Sequence, residues 1–310
     1  MQRYERAIII NNPSGEGKAE TIAEELSESG AVESIKRLRS LAGGIEPNAE
    51  LLADNLEPGD VICTVCGDGT FGTIVSAVRS AEVAESGNGL VPICPIDGGN
   101  ANDVRRALHG RKKHAPSWIL RNGIEVPAYT VERTIDYEGE TTKDEAILYF
   151  GYGKTAEASR HLASPEYRLG RFVVRDVKLA IATLFGEGSF EMLDEYGEAR
   201  RFGDITVAKG ATMAKVGRLG VKHYEQRMIV AETGRSWLAG AIGAAAIVAG
   251  LSYGESRTEY GFRALTPVLA HRDGEPPEVI LPGSEVSMVV SDDPYTLVTT
   301  RSVDRELLSA

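Results

Sequence analysis

The most constraining feature of this sequence is a strand pattern that runs directly into a glycine-rich turn. Residues 61–66 read Val-Ile-Cys-Thr-Val-Cys, and Gly-Asp-Gly-Thr follows at 67–70. Through 71–80 the apolar residues fall three and four apart, which predicts a helix. Glycine lets the backbone approach a bulky anion, and a helix start presents free N–H groups. The stretch therefore predicts a strand–turn–helix unit suited to binding phosphate.

Asp68 is the unexpected residue of this turn, because a carboxylate repels the phosphates that the glycines would bind. A metal ion, or a hydroxyl that must lose its proton, would resolve the conflict. The alternative is an ordinary tight turn between a strand and a helix, since short glycine motifs are common.

Two further segments favour the functional interpretation. A predicted strand at 7–12 is followed by Pro-Ser-Gly at 13–15, and residues 92–95 lead into Asp-Gly-Gly-Asn-Ala-Asn-Asp at 97–103. In a parallel sheet such turns gather at the carboxyl ends of the strands, where ligands bind. The alternation of strands and helices predicts a three-layer, Rossmann-like α/β domain with a parallel sheet.

The pattern changes after Trp118. Residues 129–137 alternate between apolar and polar, and Glu-Gly-Glu at 138–140 marks a turn, which is typical of a half-exposed strand. The second half is therefore predicted to be mainly antiparallel β, with a domain boundary near residue 125. Its further strands are predicted at 146–150, 205–208, 228–231, 264–270 and 286–290.

Taken together, the segments resemble the catalytic domain of the diacylglycerol kinase and sphingosine kinase family, which includes bacterial lipid kinases. The family elements Asn-Pro-x-Ser-Gly, Gly-Gly-Asp-Gly-Thr and Pro-x-Gly-Thr-x-Asn-Asp-Phe-Ala-Arg correspond to segments 11–15, 66–70 and 99–106. A fourth element, Asp-Gly-Glu, stands at 273–275. Order and spacing agree for all four, so the resemblance covers most of the chain.

The resemblance implies an ATP-dependent lipid kinase that transfers the γ-phosphoryl group to a hydroxyl of diacylglycerol or a related lipid alcohol, with Mg²⁺ bridging the phosphates. It implies a NAD kinase/diacylglycerol kinase-like α/β domain over 1–125. It also implies a β-sandwich lipid or substrate domain over 126–310, with the active site between the two domains. The proton acceptor is left open among three carboxylates: Asp68, Asp273 and Glu275.

The same resemblance assigns the nucleotide site to the glycine turns and to a hydroxyl residue after the second strand. The implied nucleotide-binding residues are Asn11, Asn12, Ser14, Gly15, Ser40, Gly67, Gly69, Thr70, Gly99, Asn100 and Asn102.

The sequence also departs from the family pattern. Cys66 replaces the first glycine of Gly-Gly-Asp-Gly-Thr, Asn100 stands where Thr is usual, and Gly98 adds length to that turn. Many relatives carry an acidic metal-binding segment before a late strand, where this chain has Tyr-Glu-Gln-Arg at 224–227. That difference puts a structural magnesium in question.

Two alternatives stay open. NAD kinases share Gly-Gly-Asp-Gly and a similar two-domain plan, but this chain shows no Asn-Glu pair like theirs. They also lack the Asn-Pro-x-Ser-Gly start, which this chain has in the compressed or permuted form Asn-Asn-Pro-Ser-Gly at 11–15. A lipid- or nucleotide-binding relative without turnover is the second alternative. The altered turns favour it, and the retention of three carboxylates disfavours it.

Composition limits the remaining function classes. The net charge of −11 argues against a general nucleic-acid binder. The first residues show no signal peptide, and the apolar run at 237–251 is shorter than the ~20 residues of a membrane span, which together predict a cytoplasmic protein. The basic loop at 109–114 and a predicted basic helix at 168–181 suggest peripheral contact with an anionic membrane. The three cysteines are predicted to be buried core residues. The sequence leaves the oligomeric state open.

Overall fold

The chain folds into two compact units, each with its own sheet and its own core. One unit comprises the residues up to Ala128 together with those from Asp293 onward, and the other comprises Tyr129–Asp292. The computed structural model describes residues 4–12, 16–42, 44–80, 91–97, 103–110, 112–163, 189–209, 212–213, 217–218, 222–234, 254–273 and 275–300.

Helices flank a six-stranded sheet in the first unit. The strands are β1 (Tyr4–Asn11), β2 (Val32–Arg39), β3 (Asp60–Cys66), β4 (Ile93–Asp97), β5 (Ile124–Ala128) and β19 (Tyr295–Thr299). The helices are α1 (Glu16–Ser29), α2 (Ile45–Ala53), α3 (Asp68–Arg79), α4 (Asp103–His109) and α5 (Pro116–Asn122). The sheet order is β2-β1-β3-β4-β19-β5, and every neighbouring pair is parallel except β19 with β5. The predicted α/β class is confirmed.

Both faces of this sheet are buried, which explains why its strands are apolar without alternation. Ile9 of β1 packs in one cluster with Leu26 of α1 and Ile119 of α5. Ile8 and Ile10 point the other way and are also buried. The apolar residues of α2 and α3 supply further buried groups, so the unit has three layers: helices, sheet, helices.

The last strand, β19, belongs to the sheet of the first unit. The family resemblance instead places these residues in a second domain over 126–310. β19 lies between β4 and β5, with Leu297 opposite both Ile93 and Val126. Burial of Tyr295, Leu297 and Val298 stabilises this position. A five-residue apolar strand carries no signal for the sheet that it joins.

Antiparallel strands make up the second unit. They are β6 (Val131–Tyr137), β7 (Glu140–Ala146), β8 (Tyr149–Gly153), β9 (Phe190–Leu193), β10 (Ala199–Ala208), β11 (Thr212–Met213), β12 (Gly217–Arg218), β13 (Met228–Gly234), β14 (Glu255–Arg257), β15 (Glu259–Ala264), β16 (Val268–Arg272), β17 (Glu278–Ile280) and β18 (Glu285–Val290). One helix, α6 (Lys154–Ala163), follows β8. Eleven strands form one sheet with the main order β17-β16-β8-β10-β9-β15-β18-β6-β7, and β11 pairs with β12 separately.

The sheet of the second unit folds back on itself around one core. Three strands separate β8 from β18 in the sheet order, yet the Tyr152 hydroxyl donates to Met288 Sδ at 3.2 Å. Arg133 on β6 reaches Glu278 on β17, near the opposite end of the order. Such contacts require two layers, so the predicted β-sandwich class is confirmed.

Two predicted strands in this unit are interrupted. The strand predicted at 146–150 breaks at Ile147 and Leu148, whose N–H groups donate to the carboxylate of Asp273. The strand predicted at 264–270 breaks after Ala264, because Leu265 N–H and Thr266 N–H both donate to the carbonyl of Glu191. Contacts distant in sequence decide both breaks.

Asp204 gives the second unit a predictable pH dependence. Its buried carboxylate accepts from Thr155 N and Thr155 Oγ1, both at 2.7 Å, and burial raises its pKa to about 6. Between about pH 4 and pH 6 the folded state therefore keeps a proton that the unfolded state has released. The free energy of unfolding should fall as the pH rises through this window.

We expect Asp204→Asn to remove this pH dependence, since the amide oxygen still accepts from Thr155 but cannot titrate. Urea unfolding at steps between pH 4 and pH 7 measures the effect, with the exposed Asp292→Asn as control. If the free energy of unfolding changed equally with pH in wild type and in Asp204→Asn, Asp204 would not be the group that holds the proton.

Candidate functional site

Four parallel strands of the first unit end at the same side of the sheet, which we call the motif edge: the carboxyl ends of β1, β2, β3 and β4. Asn11 of β1 lies opposite Arg39 of β2 and Val65 of β3. Cys66 of β3 lies opposite Asp97 of β4. The three turns predicted to bind phosphate therefore start from adjacent strands, as expected of a parallel α/β sheet.

Ser40 meets the first of these turns directly. Its N–H donates to the carbonyl oxygen of Asn11 at 2.9 Å, and Asn11 Nδ2 donates to the carbonyl oxygen of Asn12 at 3.0 Å. Asn11 is buried, whereas Asn12 and Ser40 are half-buried. Asn11 therefore helps to hold this edge of the sheet together, whereas the side chains of Asn12 and Ser40 are partly accessible to solvent.

The helix after β3 begins earlier than predicted. Gly67 is the N-cap residue, α3 starts at Asp68, and Phe71 N–H donates to the Gly67 carbonyl at 2.9 Å. Gly69 and Thr70 thus belong to the first helical turn rather than to a loop, and residues 67–70 are half-buried. N–H groups of a first turn have no acceptor within their own helix and carry the positive end of its dipole. These groups are of the kind that bind anions at a helix start.

Asp68 connects the second motif to the helix after the third. Its Oδ1 accepts from Val104 N–H, in the first turn of α4, at 3.3 Å. A carboxylate at that position offsets the positive helix end and satisfies one of its donors. This contact accounts for an acidic residue among the glycines that were predicted to bind phosphate, and no local sequence signal predicts it. Five residues implied in nucleotide binding lie outside the described part of the chain: Ser14, Gly15, Gly99, Asn100 and Asn102.

A basic cavity of about 450 Å³ lies next to the motif edge. Its described lining contains four basic side chains and no acidic one: Gly17, Lys18, Thr21, Ile22, Ile96, Arg105, Lys113, His114, Pro116 and Ile119. The buried guanidinium of Arg105 donates to the carbonyl oxygens of Gly110 at 3.2 Å and Lys112 at 2.8 Å, which fixes one wall. In a chain of net charge −11, such a lining favours an anionic ligand.

Asp273 is a structural carboxylate of the second unit. It is 5% exposed and accepts from three consecutive backbone N–H groups, those of Ile147 (2.6 Å), Leu148 (2.9 Å) and Tyr149 (2.9 Å). Its own N–H donates to the Tyr149 carbonyl at 3.1 Å, and its φ of 41° is rare outside glycine. These contacts hold the turn between β7 and β8.

Glu275 differs from Asp273 in the surroundings of its carboxylate. Its backbone N–H donates to the Arg272 carbonyl at 2.7 Å, but its half-buried side chain makes no hydrogen bond or ion pair with the residues that the structure describes. Glu275 is thus the accessible carboxylate of the Asp-Gly-Glu element, whose Gly274 lies outside the described residues.

The cysteines are core residues, as predicted. Cys63, Cys66 and Cys94 are buried free thiols, and burial raises the pKa of Cys66 to about 12.

Across the described ranges no group of three His, Cys, Asp or Glu side chains could hold a metal ion. No helix in those ranges is long and apolar enough to cross a membrane. The basic helix predicted at 168–181 and the apolar run at 237–251 lie outside them.

Comparison with known proteins finds a sequence similarity within the first unit. Residues 6–128 match the diacylglycerol kinase catalytic domain family. A search of curated proteins found no match to this sequence. A solved structure of a candidate diacylglycerol kinase from Bacillus anthracis str. Sterne aligns with a TM-score of 0.67 at 14% identity, covering 98% of this chain and 100% of that one. A second candidate diacylglycerol kinase from that organism gives a TM-score of 0.64 at 16% identity, with coverage of 98% and 100%.

These structural likenesses show that the two-unit fold extends over nearly the whole chain. The sequence match covers the carboxyl ends of all four strands of the motif edge. Residues 6–128 are therefore similar in sequence to the diacylglycerol kinase catalytic domain, and the fold of the chain is similar to that of both solved structures.

Proposed function

We propose that this protein transfers the γ-phosphoryl group of ATP to a hydroxyl of diacylglycerol or a related lipid alcohol. The observation that carries the proposal is the assembly of Asn12, Ser40 and the first turn of α3 along one sheet edge, within a segment that matches the diacylglycerol kinase catalytic domain. Phosphoryl transfer needs immobilised phosphates, neutralised charge and an acceptor for the hydroxyl proton.

The motif edge suits the first two requirements. Backbone N–H groups at Gly67 and Gly69, with the Thr70 hydroxyl, would bind phosphate oxygens at the positive end of α3. Lys18, Arg105 and Lys113 would add positive charge from the neighbouring cavity. Mg²⁺, when bound with ATP, supplies the charge neutralisation that would let Asp68 lie beside the phosphates.

Glu275 is the residue that we assign as proton acceptor. Three backbone N–H groups already occupy the buried carboxylate of Asp273, whereas the Glu275 carboxylate has no such partner among the described residues. Glu275 would take the proton of the attacking hydroxyl as its oxygen bonds to the γ-phosphorus and ADP leaves. Asp273 would keep the turn that carries Glu275 in place.

Contact with an anionic membrane surface would deliver the lipid. Lys112 and Lys113 are exposed on the loop before α5, and Trp118 is 41% exposed with its ring stacked 4.1 Å from that of His114. Lysines beside an exposed tryptophan suit an anionic lipid interface.

Incubation with γ-labelled ATP and a pooled lipid extract, with NAD in a parallel sample, tests the assignment. Label in the organic phase supports the lipid kinase. NADP in the parallel sample would assign the chain to the NAD kinase-like alternative, and saturable nucleotide binding without product would assign it to a non-catalytic relative.

A further inference from the structure

A lysine ammonium lies inside the loop that precedes β13. Lys209 is fully buried, and its Nζ donates to the carbonyl oxygens of Lys222 and His223, each at 3.2 Å, and of Glu225. Three carbonyl oxygens of one short loop thus converge on a single positive charge. Protein loops use the same arrangement of backbone carbonyls to hold hard metal cations.

The rest of the loop is fixed around this point. Tyr129 N–H donates to the His223 carbonyl at 3.0 Å, and Lys209 N–H donates to the Leu148 carbonyl at 2.7 Å. The Glu225 carboxylate turns to the loop's own groups, accepting from Lys222 N–H at 2.9 Å and Arg227 Nε at 3.1 Å.

These donors do not fit the structural magnesium that the family resemblance implies for this segment. By the family resemblance, residues 224–227 correspond to an acidic metal-binding stretch of many relatives. In this chain the one carboxylate of that stretch, Glu225, is paired with Arg227. Magnesium requires a near-octahedral set of oxygen ligands, and the three carbonyls available are already bonded to Lys209. A divalent ion at this point would also lie against a buried positive charge.

The hydrogen-bond count favours the charged amine. Three carbonyls need three N–H donors, which an ammonium has and a neutral amine lacks. Burial lowers the pKa of Lys209 to about 7; Glu225 acts against this shift and Arg227 with it. Burial also lowers the pKa of His223 to about 3, so its imidazole adds no second positive charge near neutral pH.

We propose that the Lys209 ammonium takes the place of that structural metal ion, so that the loop at 222–227 folds without a metal. The assignment is independent of the proposed kinase activity. The nucleotide can then still require magnesium, but the loop at 222–227 does not require it to fold.

Thermal unfolding of the full chain without nucleotide tests this separation. The wild-type midpoint should agree within about 1 °C between buffers containing Mg²⁺ and EDTA. Lys209→Met should lower the midpoint by about 5 °C or more, because the three backbone carbonyls lose the hydrogen bonds from Lys209. The exposed Lys143→Met is the matched control and should leave the midpoint unchanged.

A rescue experiment identifies the missing group. In Lys209→Ala, n-propylammonium replaces the deleted atoms and should raise the midpoint, whereas tetramethylammonium, which has charge but no N–H donor, should not. Equal midpoints for Lys209→Met and Lys143→Met, or equal rescue by both ions, would overturn the proposal.

Backbone hydrogen exchange of the wild-type protein decides the matter if the Lys209 variants do not fold. Amide protection over 222–234 should be the same in Mg²⁺ and EDTA. Stronger protection of these amides in Mg²⁺ would show that the loop binds the metal, and the proposal would fail.

Discussion

Glu275→Gln is expected to lower the rate of lipid phosphorylation by about 10²–10⁴-fold, the range over which a positioned general base acts. The amide has nearly the same shape but cannot accept the hydroxyl proton. Because the Glu275 side chain makes no hydrogen bond with the described residues, the unfolding midpoint should stay within about 1 °C of wild type. Steady-state assays with saturating ATP, alongside thermal unfolding, measure both quantities.

The exposed Glu259→Gln is the matched control, since it makes the same chemical change elsewhere in the second unit. It should keep the wild-type rate. A Glu275→Gln variant with wild-type turnover would remove Glu275 from the mechanism and return the choice of base to Asp68 and Asp273.

Asp273→Ala should lower the free energy of unfolding by about 3 kcal/mol or more, which is the largest loss of stability that we expect from a single substitution in this chain. The substitution leaves the buried N–H groups of Ile147, Leu148 and Tyr149 without their acceptor. Asp273→Asn keeps one oxygen acceptor and should lose less. Urea unfolding followed by circular dichroism gives both values.

The two variants at 273 also separate structure from chemistry. If Asp273 only holds the turn, the folded fraction of Asp273→Asn should retain measurable phosphorylation. Full stability combined with complete loss of turnover in Asp273→Asn would instead make Asp273 the proton acceptor and contradict its structural role.

The motif edge could be predicted because parallel strands place their carboxyl ends together. Three turns rich in Gly, Asn and Asp, each after a predicted strand, sufficed to expect that they meet. The pairing of β1, β2, β3 and β4 shows that the strands before these turns are neighbours in one parallel sheet. The fold class followed from the change between helical spacing and alternation of apolar residues.

Contacts between distant residues could not be predicted in this way. The Asp68 carboxylate meets Val104, and the Asp273 carboxylate meets Ile147, through single hydrogen bonds that leave no periodic pattern in the sequence. The same limit applies to β19, whose sheet is decided by burial against β4 and β5. Lys209 gave no signal either, since a lysine at a strand end reads as an exposed charge until its three carbonyl partners are known.

Mass spectrometry of a lipid extract incubated with the purified protein, ATP and Mg²⁺ tests the central claim most directly. We expect a lipid alcohol to gain one phosphoryl group with wild type. The Asp68→Ala sample should yield at least about 100-fold less product, because Asp68 connects α4 to the turn that we propose binds phosphate. No phosphorylated lipid with wild type, or equal product from both proteins, would contradict the account.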